Sequence, residues 1–347
     1  MLLAPEFFAK FLNLARGVFH LALIYNKLTR VTGDYTITTY RKTVLIYNPR
    51  AGKFGGNGAA LIERAVEILR KKGHNIIVAP TTGPGMAGAI AREHIAGGAD
   101  LVVAAGGDGT INEVAEGMVH SQVPLAILPG GTANVLAMEL KAGKDLERVA
   151  RHLDDWRPHR IAMGHICCQG ARVSRHFLLM AGIGLDAHVV RHVHPGLKAK
   201  TGKFAFWAAG LSLLGRSLPE FHVEVAGHQH KCSFALLSKV KNYGGDFEIA
   251  RSVSLLDSQL EVVLMEGRSP LRYLKYLTAL MLNRLSGMKG VTVLRADRAL
   301  ISCLGDRNAS VHIDGEFVGL LPAEIHMVPD ALTLLMPPEY AGAAGDN

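Results

Sequence analysis

Cysteine is scarce in this chain: Cys167, Cys168, Cys232 and Cys303 include no CxxC pair and no Cys/His set at zinc spacing. That argues against a disulfide framework or a zinc module and for reduced thiols in a cytosolic protein. Long apolar runs are missing too. Near the N-terminus the unbroken stretch Leu21–Tyr25 falls far short of the ~20 residues a spanning helix needs. No small-residue cleavage site follows it, as a secretory leader would require. There is no GxxxxGKS/T run, which excludes a Walker-type nucleotide site. RRM, zinc-finger and basic-zipper patterns are also absent, which argues against nucleic acid as a partner. Acidic residues are outnumbered, 30 against 38 basic, for a net charge of +8. A basic surface suits nucleotide, anionic lipid or nucleic acid alike, so charge alone decides little.

What is present is 49% hydrophobic residues and 38 glycines in 347 residues, the profile of a globular α/β chain large enough for two domains. From Thr43 short apolar runs alternate with amphipathic segments. Val44–Tyr47, Ile76–Ala79, Leu101–Ala105 and Leu125–Leu128 read as strands; Gly58–Lys71, Ala87–His94 and Asn112–Val119 read as helices. This alternation predicts a doubly wound parallel sheet. After about Ile161 the texture changes to short strands: Phe177–Ala181, Phe221–Val225, Ser233–Ser238, Leu260–Met265, Val291–Arg295, Ala299–Cys303, Ser310–Ile313 and Leu332–Met336. They predict an antiparallel sandwich or barrel, with one core helix over Leu271–Leu285 and a frayed tail after Pro337. The expected organisation is an apolar helical extension over 1–40, an α/β domain over 41–160 and a β-sandwich domain over 161–340. Within the extension, apolar residues from Phe7 to Ile24 recur at three and four spacing beside Lys10, Arg16, Lys27 and Arg30. That pattern serves either a helix lying on a membrane surface or one packed on the protein.

In a parallel sheet, ligands sit beyond the carboxyl ends of the strands. Three glycine-bearing loops follow strands there: Asn48-Pro49-Arg50-Ala51-Gly52-Lys53, Gly106-Gly107-Asp108-Gly109-Thr110-Ile111-Asn112-Glu113, and Pro129-Gly130-Gly131-Thr132-Ala133-Asn134. Glycine lets backbone N–H groups approach phosphate, and a following helix N-terminus favours anions. Asp108 repels bare phosphate unless a metal lies between, which points to magnesium. Any one of these loops is also what an ordinary tight strand-to-helix turn looks like. In the β-rich half, Asp314-Gly315-Glu316 is either an Asp-Gly hairpin turn or a general base with a neighbouring carboxylate.

These motifs, in this order, resemble the diacylglycerol kinase catalytic family, which includes bacterial lipid kinases, sphingosine kinases and ceramide kinases. The resemblance runs from about Thr43 to Pro337. It implies a nucleotide domain similar to those of NAD kinase and phosphofructokinase, a C-terminal β-sandwich, and transfer of the ATP γ-phosphoryl group to a diacylglycerol-like or sphingoid hydroxyl with magnesium. By motif matching, ATP contacts would be Asn48, Pro49, Arg50, Ala51, Gly52, Thr81, the run Gly106–Glu113 and Thr132. Asp108, Asp314 and Glu316 would be catalytic, with the proton acceptor left open between the last two. A structural magnesium would use the Asp257 side chain and the carbonyls of Ser254 and Gln259, although one carboxylate stands there where the family usually has two. Val135 and Ala162 also stand where the family often carries aspartate. The resemblance further implies a cytoplasmic protein, with peripheral membrane contact through residues 1–30. The sequence leaves open the acceptor lipid and whether the chain forms a homodimer. Two alternatives remain: an NAD-type small-molecule kinase, which shares GGDGT, and a catalytically impaired lipid- or nucleotide-binding module. Gly182-Ile183-Gly184-Leu185-Asp186-Ala187 matches a further family run, and Arg191, His192, His194, Lys198, Lys200 and Lys203 form a basic stretch after it. That stretch suits a solvated face or an anionic headgroup.

Overall fold

Apolar runs build the first sheet and are buried on both faces in its central strands. Strands β1 (Lys42–Tyr47), β2 (Asn75–Pro80), β3 (Leu101–Gly106) and β4 (Leu125–Pro129) lie parallel in the order β2-β1-β3-β4. Every residue of β3 and β4 is buried, as a parallel sheet covered by helices requires. Those helices are α1 (Gly58–Lys71), α2 (Ala87–Ala96), α3 (Asp108–Gly117), α4 (Val135–Glu139) and α5 (Leu146–His152). α1 buries Ile62, Ala65, Val66 and Leu69 along one stripe and ends on Arg70 and Lys71, which complement its dipole. α5 starts at Asp145, whose carboxylate accepts from the N–H groups of Glu147 and Arg148.

This computed structural model describes residues 40–343 apart from 55–57, 169–172, 186, 188–217, 244–246, 283 and 306–307. The expected N-terminal amphipathic helix, Asp186 and the basic stretch from Arg191 to Lys203 lie outside the described residues. The β-rich half comprises β5 (Arg157–Cys168), β6 (Val173–Phe177), β7 (Met180–Gly184), β8 (Phe221–Val225), β9 (His228–Cys232), β10 (Phe234–Ser238), β11 (Asn242–Tyr243), β12 (Phe247–Glu248), β13 (Leu260–Met265), β14 (Val291–Ala296), β15 (Arg298–Cys303), β16 (Ser310–Ile313), β17 (Glu316–Leu320) and β18 (Ala323–Met336). Helix α6 (Pro270–Met281) lies between β13 and β14, and α7 (Pro338–Ala343) ends the described chain. An antiparallel sheet ordered β14-β13-β10-β7-β16-β17 faces the distal strands of the first sheet. Phe177, Ile183, Phe221, Val262 and Ile325 fill the core between them. The sandwich expectation holds.

The two lobes share a sheet. β18 pairs antiparallel with β5 along most of its length and meets β4 in parallel at Leu334↔Leu125. The last strand of the chain therefore extends the N-terminal sheet.

Three local expectations are corrected. α3 begins at Asp108, not Asn112: Gly107 is extended (φ −87°, ψ 176°) and serves as N-cap, so half of the glycine-rich run is the first turn of the helix. The single strand expected over Phe177–Ala181 is broken at Leu178 and Leu179, between β6 and β7. Within the tail after Pro337, Pro338–Ala343 is helical: Tyr340 is buried and its hydroxyl lies between Glu139 Oε1 (3.1 Å) and the Leu255 N–H (3.0 Å).

Candidate active site

Because β1, β3 and β4 are neighbours, their carboxyl-end loops are neighbours too. Lys53 N donates to the Gly130 carbonyl (2.9 Å), and Gly130 N donates to Gly106 O (2.8 Å). Asn48 Oδ1 accepts from Arg50 N (2.9 Å) and turns the first loop. Its Nδ2 reaches Thr110 Oγ1 at 3.5 Å. Thr81 N donates to Tyr47 O (2.9 Å), which sets the end of β2 against the same edge. Many of the glycines serve this packing. A Cβ on Gly131 would lie 2.5 Å from Gly107 Cα, and one on Gly52 would lie 3.0 Å from Thr132 Oγ1. Gly109 is different: it is exposed and has nothing within 4 Å of its would-be Cβ. Asn134, left-handed at φ 51° and buried, clamps Gly131 from both sides (2.7 and 2.8 Å). The asparagine of the third loop thus holds the turn.

Within the second loop the residues divide. Asp108 is half-buried, and its Oδ1 accepts from Leu136 N (3.2 Å) in the first turn of α4. Thr110, Ile111 and Asn112 are buried. Asn112 Oδ1 has no hydrogen-bond partner, while its Nδ2 reaches the His176 carbonyl at 3.5 Å. Glu113 is turned to the chain itself, accepting from Gly85 N (2.9 Å) and Ala87 N (3.2 Å) at the start of α2. Thr132 is exposed at the edge. Val135 and Ala162 are both buried.

The β16–β17 hairpin turns on Asp314 and Gly315, both at positive φ (47° and 84°), as an Asp-Gly type I′ turn does. The Asp314 carboxylate gathers the N–H groups of Leu178 (2.8 Å), Leu179 (2.9 Å) and Met180 (2.8 Å). That gathering explains the break between β6 and β7: the three donors are freed for one carboxylate. Burial pushes the Asp314 carboxyl up to about 6; the three donors oppose the rise and the charge of Asp108 adds to it. The two carboxylates, 206 positions apart in sequence, therefore sense one another, an arrangement that a cation would relieve.

Glu316 is exposed and pairs with Arg175 Nη1 at 3.0 Å. Arg175, on β6, also grips Glu116 of α3 through Nη2 (3.1 Å) and Nε (3.2 Å). Glu116 in turn accepts from His176 N (3.2 Å). One guanidinium thus ties the helix that starts at Asp108 to the hairpin that carries Glu316. Sequence reasoning missed Arg175 and Glu116. Arg175 sits in an ordinary alternating strand and Glu116 on a helix face, with no local signal to separate either from a solvated charge.

Two residues of the expected structural-magnesium set, Asp257 and Ser254, have partners within the chain. The Asp257 carboxylate pairs with Arg295 and accepts from Ser254 N (2.9 Å). The Ser254 carbonyl accepts from Asp257 N (3.0 Å), and Gln259 is exposed. Among the described residues, no group of three or more His, Cys, Asp and Glu is placed to hold a metal ion. None of their helices is long and apolar enough to cross a membrane.

Comparison with known proteins agrees with this architecture. Residues 42–166 match the diacylglycerol kinase catalytic domain, and residues 180–336 match the YegS C-terminal NAD kinase β-sandwich-like domain. The chain is 25% identical over 314 residues to a diacylglycerol kinase of Bacillus subtilis, covering 88% of this chain and all of that one. It is 26% identical over 304 residues to a diacylglycerol kinase of Mycobacterium tuberculosis, covering 85% and 95%. A crystal structure of a diacylglycerol kinase from Bacillus anthracis superposes with a TM-score of 0.69 at 22% identity, covering 87% of this chain and 99% of that one. At that identity it speaks for the fold alone. The chain belongs to the diacylglycerol kinase family of YegS-like lipid kinases.

Proposed function

We propose that this protein transfers the γ-phosphoryl group of ATP to the hydroxyl of a diacylglycerol-like or sphingoid lipid. The observation that carries the reading is the Arg175 bridge between α3 and Glu316, together with the charge that Asp108 exerts on Asp314. They bring the glycine-loop edge and the hairpin acids to one place. The triphosphate lies over Gly109 and the first turn of α3, where a helix start favours anions. The ATP contacts are those of Asn48–Gly52, Thr81, Gly106–Thr110 and Thr132, whereas Ile111–Glu113 act from behind by holding the loop.

Glu316 is the general base. Its exposed carboxylate takes the proton of the acceptor hydroxyl, the new P–O bond forms, the bond between the β- and γ-phosphoryl groups breaks, and ADP leaves. Asp314 is the anchor, since its oxygens are occupied by three backbone donors. Asp108 fits a magnesium ion, which needs only one or two protein carboxylates when it arrives with phosphates. When bound, that ion supplies neutralisation of the charge developing on the transferred group.

The test is incubation of the purified protein with labelled ATP, magnesium and separate diacylglycerol, monoacylglycerol, phosphatidylglycerol, ceramide and sphingosine. Label in the organic phase with one acceptor supports the reading, and label in NADP when NAD is offered replaces it. Val135 and Ala162, buried and apolar where related kinases often carry aspartate, favour a second reading: a lipid- or nucleotide-binding module without turnover. ATP binding with no labelled product from any acceptor would support it.

A further inference from the structure

The loop of residues 250–259, leading into β13, is held by cations of the chain itself. Lys239 follows β10 and is fully buried. Its Nζ donates to the carbonyls of Leu255 (3.0 Å) and Asp257 (2.5 Å). Arg295 on β14 donates to the Ser252 carbonyl (2.9 Å) and pairs with the Asp257 carboxylate. Glu261, also buried, accepts from Arg251 N (3.1 Å) and Ser252 N (2.7 Å). The Tyr340 hydroxyl takes the Leu255 N–H from the other side.

A hard divalent ion would need several of these oxygens at once. Three of them, the carbonyls of Leu255 and Asp257 and the Asp257 carboxylate, already face an ammonium or a guanidinium. An ion among them would meet two positive charges in a place partly shielded from water, where repulsion is strong. The local charges also balance without it: Asp257 and Glu261 against Lys239 and Arg295. We propose that Lys239 and Arg295 take the place of a divalent ion in this loop, so that the C-terminal lobe folds without metal. Leu256, standing where the resemblance implies a second carboxylate, is consistent with that exchange. With Asp257 alone, Arg295 has one carboxylate to neutralise and holds the Ser252 carbonyl beside it.

The test uses the full-length, nucleotide-free protein and does not read activity. The melting temperature is expected to agree within about 1 °C between EDTA, magnesium and calcium, and elemental analysis of gel-filtered protein is expected to find no stoichiometric divalent ion. Lys239→Met strands the buried Leu255 carbonyl and the half-buried Asp257 carbonyl and is expected to lower the melting temperature by roughly 5 °C or more, equally with and without EDTA. Arg295→Met is expected to lower it less. If Lys239→Met fails to fold, Arg295→Met and the wild-type measurements still decide. A magnesium-induced rise that survives Asp108→Asn but disappears in Asp257→Asn would overturn the proposal, as would a bound ion lost on the second substitution. So would a Lys239→Met protein as stable as wild type.

Discussion

The carboxyl edge of the parallel sheet and the β16–β17 hairpin both contribute to the candidate site, by opposite means. On the sheet edge the parts are backbone: three loops at the ends of adjacent strands, pressed glycine to glycine. At the hairpin the parts are side chains joined across long stretches of chain, Arg175 to Glu316 over 141 positions and Asp314 to Met180 over 134. Asp108 apart, a backbone-built edge tolerates changes of side-chain chemistry and fails on a change of volume. A site built from side chains behaves the other way round.

Substitutions can break or sharpen this contrast. The largest expected effect is at Glu316 and Asp108. Glu316→Gln should lower kcat roughly 10²–10⁴-fold, the span of general-base catalysis. Asp108→Asn should lower it roughly 10²–10³-fold by removing charge neutralisation, with circular dichroism unchanged in both. Near-wild-type turnover of either in the labelled-ATP assay would remove that residue from the chemistry. Arg175→Met comes next, with a loss of roughly 10–100-fold through a misplaced Glu316 that Arg175→Lys partly restores. Equal loss in both variants would mean that the bidentate grip on Glu116 matters more than the charge.

Asp314 should show itself in stability. A carboxyl held above its ordinary range in the folded state contributes most below the unfolded value, and that contribution is lost as pH rises through about 6. Wild-type protein should therefore lose up to about 3 kcal/mol relative to Asp314→Asn between pH 4 and 7, measured by urea unfolding. Parallel curves would show that the burial of Asp314 is relieved by water. The smallest effects separate the two kinds of glycine. Gly131→Ala forces backbone against backbone and should lose about 1–3 kcal/mol. Gly109→Ala has open space and should lose under about 1 kcal/mol while raising KM for ATP. If both variants unfold alike, Gly109 is a packing glycine as well.

The sheet edge was legible in the sequence because each of its parts is local. A strand, a glycine run and a helix follow one another within about a dozen residues, and α1 falls on the residues its periodicity marks. The start of α3 was less legible, because Gly106, Gly107 and Gly109 weigh against helix although Gly107 is the cap and Asp108 the first turn. β18 was read from Leu332 only. Its first half is half-buried and mixed in polarity, and Pro329 and a left-handed Asp330 interrupt it where the register with β5 shifts. Pairing with β5 on one side and with β15 on the other keeps that half extended. The partners of the loop before β13 were hidden for a similar reason: the loop motif was in view, while Lys239 lies just after β10 and Arg295 on β14.

By itself the amino-acid sequence determined the alternation of strands and helices, the three loops at one sheet edge and the Asp-Gly-Glu turn, since backbone preference and periodicity act over short distances. The tertiary structure alone decided which acid is anchored and which is exposed, which glycines pack and which face open space, and which cations hold the loop before β13. Those outcomes depend on desolvation and on charges meeting across the fold, and neither is a property of neighbours along the chain.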